Sequence, residues 1–222
     1  MIKFLLAAIN AKYIHSNLGG YSLKAYAEQE LVIRDMDKGD QHPMDAGLPN
    51  WDSPVIDIGE SSTNNQMDRI LEDIFRRRPD VVGFSCYIWN IEAVTALIRD
   101  LHKVLPATRI WLGGPEVSYY AAAVLARESS VTGIMIGEGE AVFTEVVRAY
   151  AQNLADADTW KDISGVAYRE PGGQVIVNPV NQFLDMDKIP FSYHDLEGFD
   201  HRIIYYESSR GCPFSCSYCL SS

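Results

Sequence analysis

From residue 1 to about 152 the sequence repeats one unit five times: a short apolar run, then a longer stretch with apolar residues at helical spacing. Few architectures accept that alternation, and the chief one is an open α/β fold with a doubly wound, five-stranded parallel sheet of the Rossmann or flavodoxin-like type. The predicted strands are residues 2–9, 54–58, 80–87, 109–112 and 132–136. The predicted helices are 18–36, 65–78, a segment from 91 to about 101, 118–127 and 140–152. Ile70, Leu71, Ile74 and Phe75 form the apolar stripe of the second helix, which Pro79 ends. The third strand is apolar along its length, as in a parallel sheet covered on both faces. Asn90 is placed to cap the helix that presents Ile91, Val94, Leu97, Ile98 and Leu101 to the core. Val142, Phe143, Val146, Val147 and Tyr150 give the last helix its inward face.

Two regions depart from the rhythm. Residues 37–53 are rich in Gly, Pro, Asp and Asn, have no period, and read as a mobile loop or a lid. Beyond residue 152, two short strands at 165–169 and 174–177 flank a Gly-rich turn and predict a β-hairpin. An extended connector over 178–202 follows. With 47% apolar and 22% charged residues the chain can bury a sizeable core, and a net charge of -11 argues against nucleic acid as a partner. The apolar run at 1–9 is too short to span a bilayer and lacks a basic start and a cleavage site. It reads as the first buried strand of a cytoplasmic protein with no membrane partner.

The chemistry concentrates at 208–219. Cys212, Cys216 and Cys219 stand at C-x3-C-x2-C spacing after residues 202–207, which read as a short apolar strand. Three thiolates on a cubane leave one iron open to a small molecule, whereas four close it. Zinc completed by His194 or His201, or disulfide pairing, are the other uses of these cysteines. Structural zinc favours two separated knuckles, and disulfides are rare in a chain with no export signal.

This stretch resembles the signature of the radical S-adenosylmethionine (SAM) enzymes, in which an aromatic residue precedes the last cysteine; Tyr218 fills that place. The resemblance implies a [4Fe-4S] cluster on Cys212, Cys216 and Cys219, SAM on the open iron, and the first strand of an α/β barrel at 202–207. It also implies a 5'-deoxyadenosyl radical as product of reductive SAM cleavage.

Right-handed crossovers bring the strand-to-helix loops to one edge of the sheet, where ligands of such folds bind. Those loops are 10–19, 85–90, 113–118 and 137–140, and two carry paired glycines before a helix. Glycines there either admit a ligand close to the backbone or simply make tight turns. Together with the cysteine motif, the region resembles the cobalamin-binding domain that precedes the barrel in one large group of radical SAM enzymes. By that likeness Gly113, Gly114, Pro115, Glu116, Gly137, Glu138, Gly139 and Glu140 are candidate cofactor contacts. Ser85, Tyr87, Trp89 and Asn90 follow the third strand, and Tyr218 lies beside the cluster.

Many cobalamin domains carry D-x-H-x-x-G in the first loop, with the histidine below cobalt. Here Lys12-Tyr-Ile-His-Ser-Asn-Leu-Gly19 has no Asp two residues before His15, and Asp40-Gln-His42 has no Gly at the required place. Radical SAM members of the family commonly lack that histidine. Cys86 reads as a small core residue. Arg76-Arg-Arg78 complements a helix C-terminus, and Tyr205, Tyr206 and Phe214 read as packing around the cluster loop.

The expected organisation is a cobalamin-type domain at 1–152, a hairpin and linker at 153–201, and a truncated barrel start at 202–222. The implied whole is a cobalamin-dependent radical SAM enzyme, of which this stretch is an N-terminal part inactive by itself. Its expected reaction is methyl transfer to an unactivated carbon of a small molecule, with electrons from a donor such as flavodoxin or ferredoxin. Ring-forming or rearrangement chemistry, or a sheet domain serving as a scaffold or partner-binding module without cobalamin, are the alternatives.

Overall fold

The computed structural model describes residues 1–11, 15–37, 54–181, 183–193, 196–212, 214, 216 and 217. The loop expected over 37–53, and the Asp40-Gln-His42 pattern within it, lie outside these residues apart from Asp37, the last residue of the first helix. Five parallel strands, β1 (Lys3–Asn10), β2 (Val55–Ser62), β3 (Val81–Ser85), β4 (Arg109–Gly113) and β5 (Gly133–Met135), alternate with helices as expected. These are α1 (Leu18–Asp37), α2 (Met67–Arg77), α3 (Ile91–Val104), α4 (Pro115–Ser118), α5 (Ala121–Arg127) and α6 (Gly139–Ala151).

The sheet order is β2-β1-β3-β4-β5-β6-β7. The hairpin, expected within the linker, instead continues the sheet: β6 (Val166–Arg169) pairs antiparallel with β5, and β7 (Val175–Val177) with β6. It covers the β5 edge that a five-stranded sheet would leave open. β2 runs four residues past its predicted end, because its polar last half, Gly59 to Ser62, pairs with Ala7 to Asn10 of β1. The helix expected over 118–127 is two helices, α4 and α5: Pro115 supplies first-turn geometry three residues early, and exposed Tyr119 and Tyr120 separate the pieces.

Alternation along each strand serves two separate cores. Leu5, Ala7, Val82, Phe84, Ile110, Leu112 and Ile134 pack on the side of α2, α3 and α5, with Ile74, Leu97, Ile98, Leu101 and Leu125. Phe4, Leu6, Val81, Trp111 and Met135 pack on the side of α1, α6 and the short α7 (Ala157–Trp160), with Ala27, Phe143, Val146 and Trp160. Trp111 anchors this second core. Its indole N–H donates to the Tyr150 hydroxyl at 3.0 Å, and its ring meets Trp160 edge-on at 5.1 Å. Cys86 is fully buried, as expected, and burial pushes its thiol up to about 12.

The connector is docked on the first loop, not merely extended. A closed ring of hydrogen bonds runs from Tyr205 N–H to Ser16 Oγ at 3.3 Å, from Ser16 Oγ to Tyr193 Oη at 2.7 Å, and from Tyr193 Oη to Tyr205 O at 2.8 Å. Tyr193 donates to a carbonyl, so the Ser16 hydroxyl must donate to Tyr193. Glu60, on β2, accepts from Asn17 N at 2.6 Å, Tyr21 Oη at 2.9 Å and Arg202 Nη2 at 2.5 Å. Residues 202–207, expected as a barrel strand, make one isolated parallel bridge, Ile203 to His15, and no ladder among the described residues. Ile203, Tyr205 and Tyr206 are correspondingly exposed. No helix among the described residues is long and apolar enough to cross a membrane.

Trp111→Ala should lower stability to urea by about 3–5 kcal/mol, since it removes a large buried ring and leaves the Tyr150 hydroxyl unpartnered. Ile88→Ala, at a position 79% exposed, should change it by less than about 0.5 kcal/mol. Equal effects would contradict the placement of Trp111 at the centre of the second core.

Candidate functional site

The β1/β3 junction is where the winding reverses. The connection from β1 carries α1 to one face and that from β3 carries α3 to the other, so their first turns diverge and open a crevice at the C-terminal sheet edge. A cleft of about 530 Å³ occupies this place, within the ordinary range of small-molecule sites.

Side-chain size explains its depth. On the face turned to α1 and α6, β1, β3 and β4 are large at their N-terminal ends and small at the other. Phe4 and Leu6 give way to Ala8 on β1, Val81 to Gly83 and Ser85 on β3, and Trp111 to Gly113 on β4. The core therefore tapers into an open space. Its far wall is the first turn of α1, where Gly19 and Gly20 also lack side chains and Leu23 is the first large one.

Gly114 is required by its position. Its φ of +103° belongs to the region that favours glycine, and a Cβ there would lie 2.6 Å from the Cys86 carbonyl oxygen. The close approach exists because the β4 loop crosses the β3 loop, tied by Cys86 N to Gly113 O at 2.7 Å. Gly113 differs. A Cβ there would meet only Met135, at 3.6 Å or more, so a side chain is sterically allowed but would project into the cleft.

Among the sequence-predicted contacts, Ser85, Tyr87, Gly113, Gly114, Pro115, Gly137, Glu138, Gly139 and Glu140 line the cleft. Glu116 is exposed beside it. Trp89 stacks on Tyr87 with ring centroids 4.4 Å apart and stands half out in solvent. Asn90 is buried and has a structural role: it sits at the cap position of α3 but does not cap it. Its side chain accepts from Tyr87 N and donates to Ile9 O and Ser85 O, pinning the ends of β1 and β3 together. Tyr218 lies outside the described residues.

The acidic pair at the start of α6 is already engaged. Glu138 accepts from Leu184 N at 2.6 Å. Glu140 accepts from Ser22 Oγ at 2.6 Å and, in two-pronged fashion, from Arg210 at 2.5 and 3.0 Å. Burial pushes the Glu140 carboxyl up, but the bonds from Arg210 and Ser22 outweigh it and hold it below the usual carboxylate range. These carboxylates answer the positive end of the α6 dipole from within the protein. Ser85 Oγ is the opposite case: it is buried beside the cleft and has no hydrogen-bond partner among the described residues.

Cys212 is exposed and Cys216 half-buried, both as free thiols, while Cys219 lies outside the described residues. The cysteine stretch begins at the rim of the cleft, because Glu207 and Arg210 are part of its lining. His15 is used for structure: its ring meets Tyr205 edge-on at 5.0 Å, and its Nδ1 lies 2.9 Å from Ser16 O. Arg76 and Arg77 pair with Glu72 and Asp73 one turn back, as solvated helix charges do. Sequence reading missed Gly83, Gly20, Leu23, Glu207 and Arg210 in the lining. The period-two shift from large to small residues along β3 and β4 was the available signal for Gly83.

The residues present fit cobalamin in three respects: a tapered apolar trough at the sheet switch, glycines where a ligand would press on the backbone, and an unpartnered serine hydroxyl at its edge. The comparisons with known proteins agree. The chain is 28% identical over 209 residues to the cobalamin-dependent radical SAM methyltransferase TokK of Streptomyces tokunonensis, covering 89% of this chain and 27% of TokK. It is 28% identical over 173 residues to the anaerobic magnesium-protoporphyrin IX monomethyl ester cyclase of Rubrivivax gelatinosus, covering 74% of this chain and 31% of the cyclase. The chain thus spans about a third or less of the length of these relatives. The cobalamin-dependent S-adenosylmethionine radical enzyme OxsB, solved with aqua-cobalamin and S-adenosylmethionine bound, matches with a TM-score of 0.73 at 16% identity. That match covers 99% of this chain and 28% of OxsB, and it establishes the fold. A family model described as the B12 binding domain matches residues 5–147, which hold the parallel sheet and the loops that line most of the cleft, and the chain belongs to that family.

Proposed function

We propose that this chain is the cobalamin-holding portion, and the start of the radical SAM portion, of an enzyme that transfers a methyl group to an unactivated carbon of a small molecule. The observation that carries the reading is the tapered cleft at the β1/β3 switch, most of whose lining falls inside the residues that match the B12 binding domain. When bound, cobalamin and SAM on a [4Fe-4S] cluster supply a transferable methyl group and a hydrogen-abstracting radical.

The chain's own residues bind and orient. Gly83, Gly113 and the first turn of α1 shape the trough for the cofactor's nucleotide tail. Ser85 Oγ offers that tail a hydrogen bond at the cleft edge. The apolar walls exclude water from it. Cys212, Cys216 and Cys219 are assigned to the cluster, with Tyr218 beside it. Glu116 and Trp89, outside the lining, flank the mouth where the larger part of the cofactor would sit. His15 is committed to the connector through its bridge to Ile203 and its edge-on contact with Tyr205, and would not be among the residues that hold the cofactor.

An electron donor such as flavodoxin or ferredoxin completes the reading. Ring formation with the same cofactors is the second reading, favoured by the likeness to the Rubrivivax cyclase.

Two measurements test these assignments. The chain, mixed with hydroxocobalamin and desalted, should keep the corrin bands in its visible spectrum. Gly113→Val should lose them while unfolding in urea near the parent's midpoint, since the new side chain meets no backbone clash but fills the trough. Loss of the bands from the parent would favour the sheet domain as a scaffold or partner-binding module. Anaerobic reconstitution should load about four irons per chain. Cys212→Ala, Cys216→Ala and Cys219→Ala should each lower that content sharply. Unchanged iron in all three, or zinc uptake with iron refused, would overturn the cluster assignment.

A further inference from the structure

The Glu140–Arg210 pair lines the rim of the trough and also connects the two sites. Glu140 is 4% exposed and sits in the first turn of α6, on the sheet domain. Arg210 stands two residues before Cys212, on the cysteine stretch. Both guanidinium Nη atoms reach the carboxylate, at 3.0 and 2.5 Å, and Ser22 Oγ from α1 holds the same carboxylate at 2.6 Å. Glu207 takes the remaining Nε of Arg210 at 2.8 Å. Each of the three guanidinium nitrogens therefore donates to a carboxylate, which fixes the plane of the group.

We propose that Glu140 and Arg210 are positioning residues: the pair clamps the cysteine stretch to α6 at the rim of the cleft and so sets where the metal loop stands relative to the sheet-edge cofactor. The geometry stands without any cofactor; only its purpose rests on the cobalamin and cluster assignments above. A bidentate, nearly buried pair restricts orientation as well as distance, which a lysine could not do as well. The docking is two-point. The pair of Glu60 with Arg202 holds the stretch eight residues earlier, and the ring of hydrogen bonds through Ser16, Tyr193 and Tyr205 holds the backbone between. With the first point alone, residues 206–212 would be tethered at one end, with no hydrogen bond from the sheet domain, among the described residues, to orient them. The second point converts a tether into a fixed arm.

The test is a distance measurement on the cofactor-free chain of residues 1–222. Nitroxide amino acids are placed at exposed Asp100 on α3 and at exposed Phe214 between two of the cysteines, and pulsed electron paramagnetic resonance reads the spread of separations. The parent should give a narrow peak. Glu140→Gln and Arg210→Gln should each lose it, the double variant should be no broader than either single one, and Arg210→Lys should restore it in part. Far-ultraviolet circular dichroism and the urea midpoint, read in parallel, should show the sheet domain still folded in these variants. A parent as broad as the variants, or variants as narrow as the parent, would overturn the clamp. Because no corrin or iron is present, failure here is distinct from a failure of cobalamin retention or iron loading.

Discussion

The reversal of winding between β1 and β3 is the constraint on which the rest depends. Right-handed crossovers allow α1 and α3 no choice but opposite faces once the chain steps from β2 back across β1 to β3. No helix can cover the seam between their first turns. Such a seam is a generic property of doubly wound sheets and selects no ligand by itself.

What makes this seam a cleft is the taper of one core. Trp111, Phe4 and Phe143 fill the space between the sheet and α1 and α6 at the N-terminal ends of the strands. Ala8, Gly83, Ser85 and Gly113 leave it open at the other. The same face thus supplies stability at one end and binding space at the other, and the burial around Trp111 holds the walls apart. Hydrogen bonds from Asn90 and the crossing of the Gly113–Gly114 loop over Cys86 keep the rim from collapsing inward.

Much of this was legible in the sequence, for physical reasons. Apolar runs buried on both faces and amphipathic stripes with Ile70 and Ile74 or Val142 and Phe143 declare their own structure, and the parallel core followed from them. The paired glycines at 113–114 and 137–139 marked two of the cleft's loops, and at Gly114 the close approach to Cys86 demands one. The hairpin's membership of the sheet was not legible, since strand partners are set by packing and not by local pattern. Nor was the docking of the connector, which rests on single polar residues far apart in sequence, such as Glu60 with Arg202 and Glu140 with Arg210. Asn90 shows the same limit: its place before a helix was right, but tertiary partners took its side chain.

The most direct measurement of the central claim is a crystal structure of this chain grown with hydroxocobalamin. Density for the nucleotide tail should run down the trough between the first turn of α1 and the sheet face bearing Gly83, Ser85 and Gly113, with a hydrogen bond to Ser85 Oγ. Corrin bound elsewhere on the surface, with that trough filled by the protein's own side chains, would contradict it.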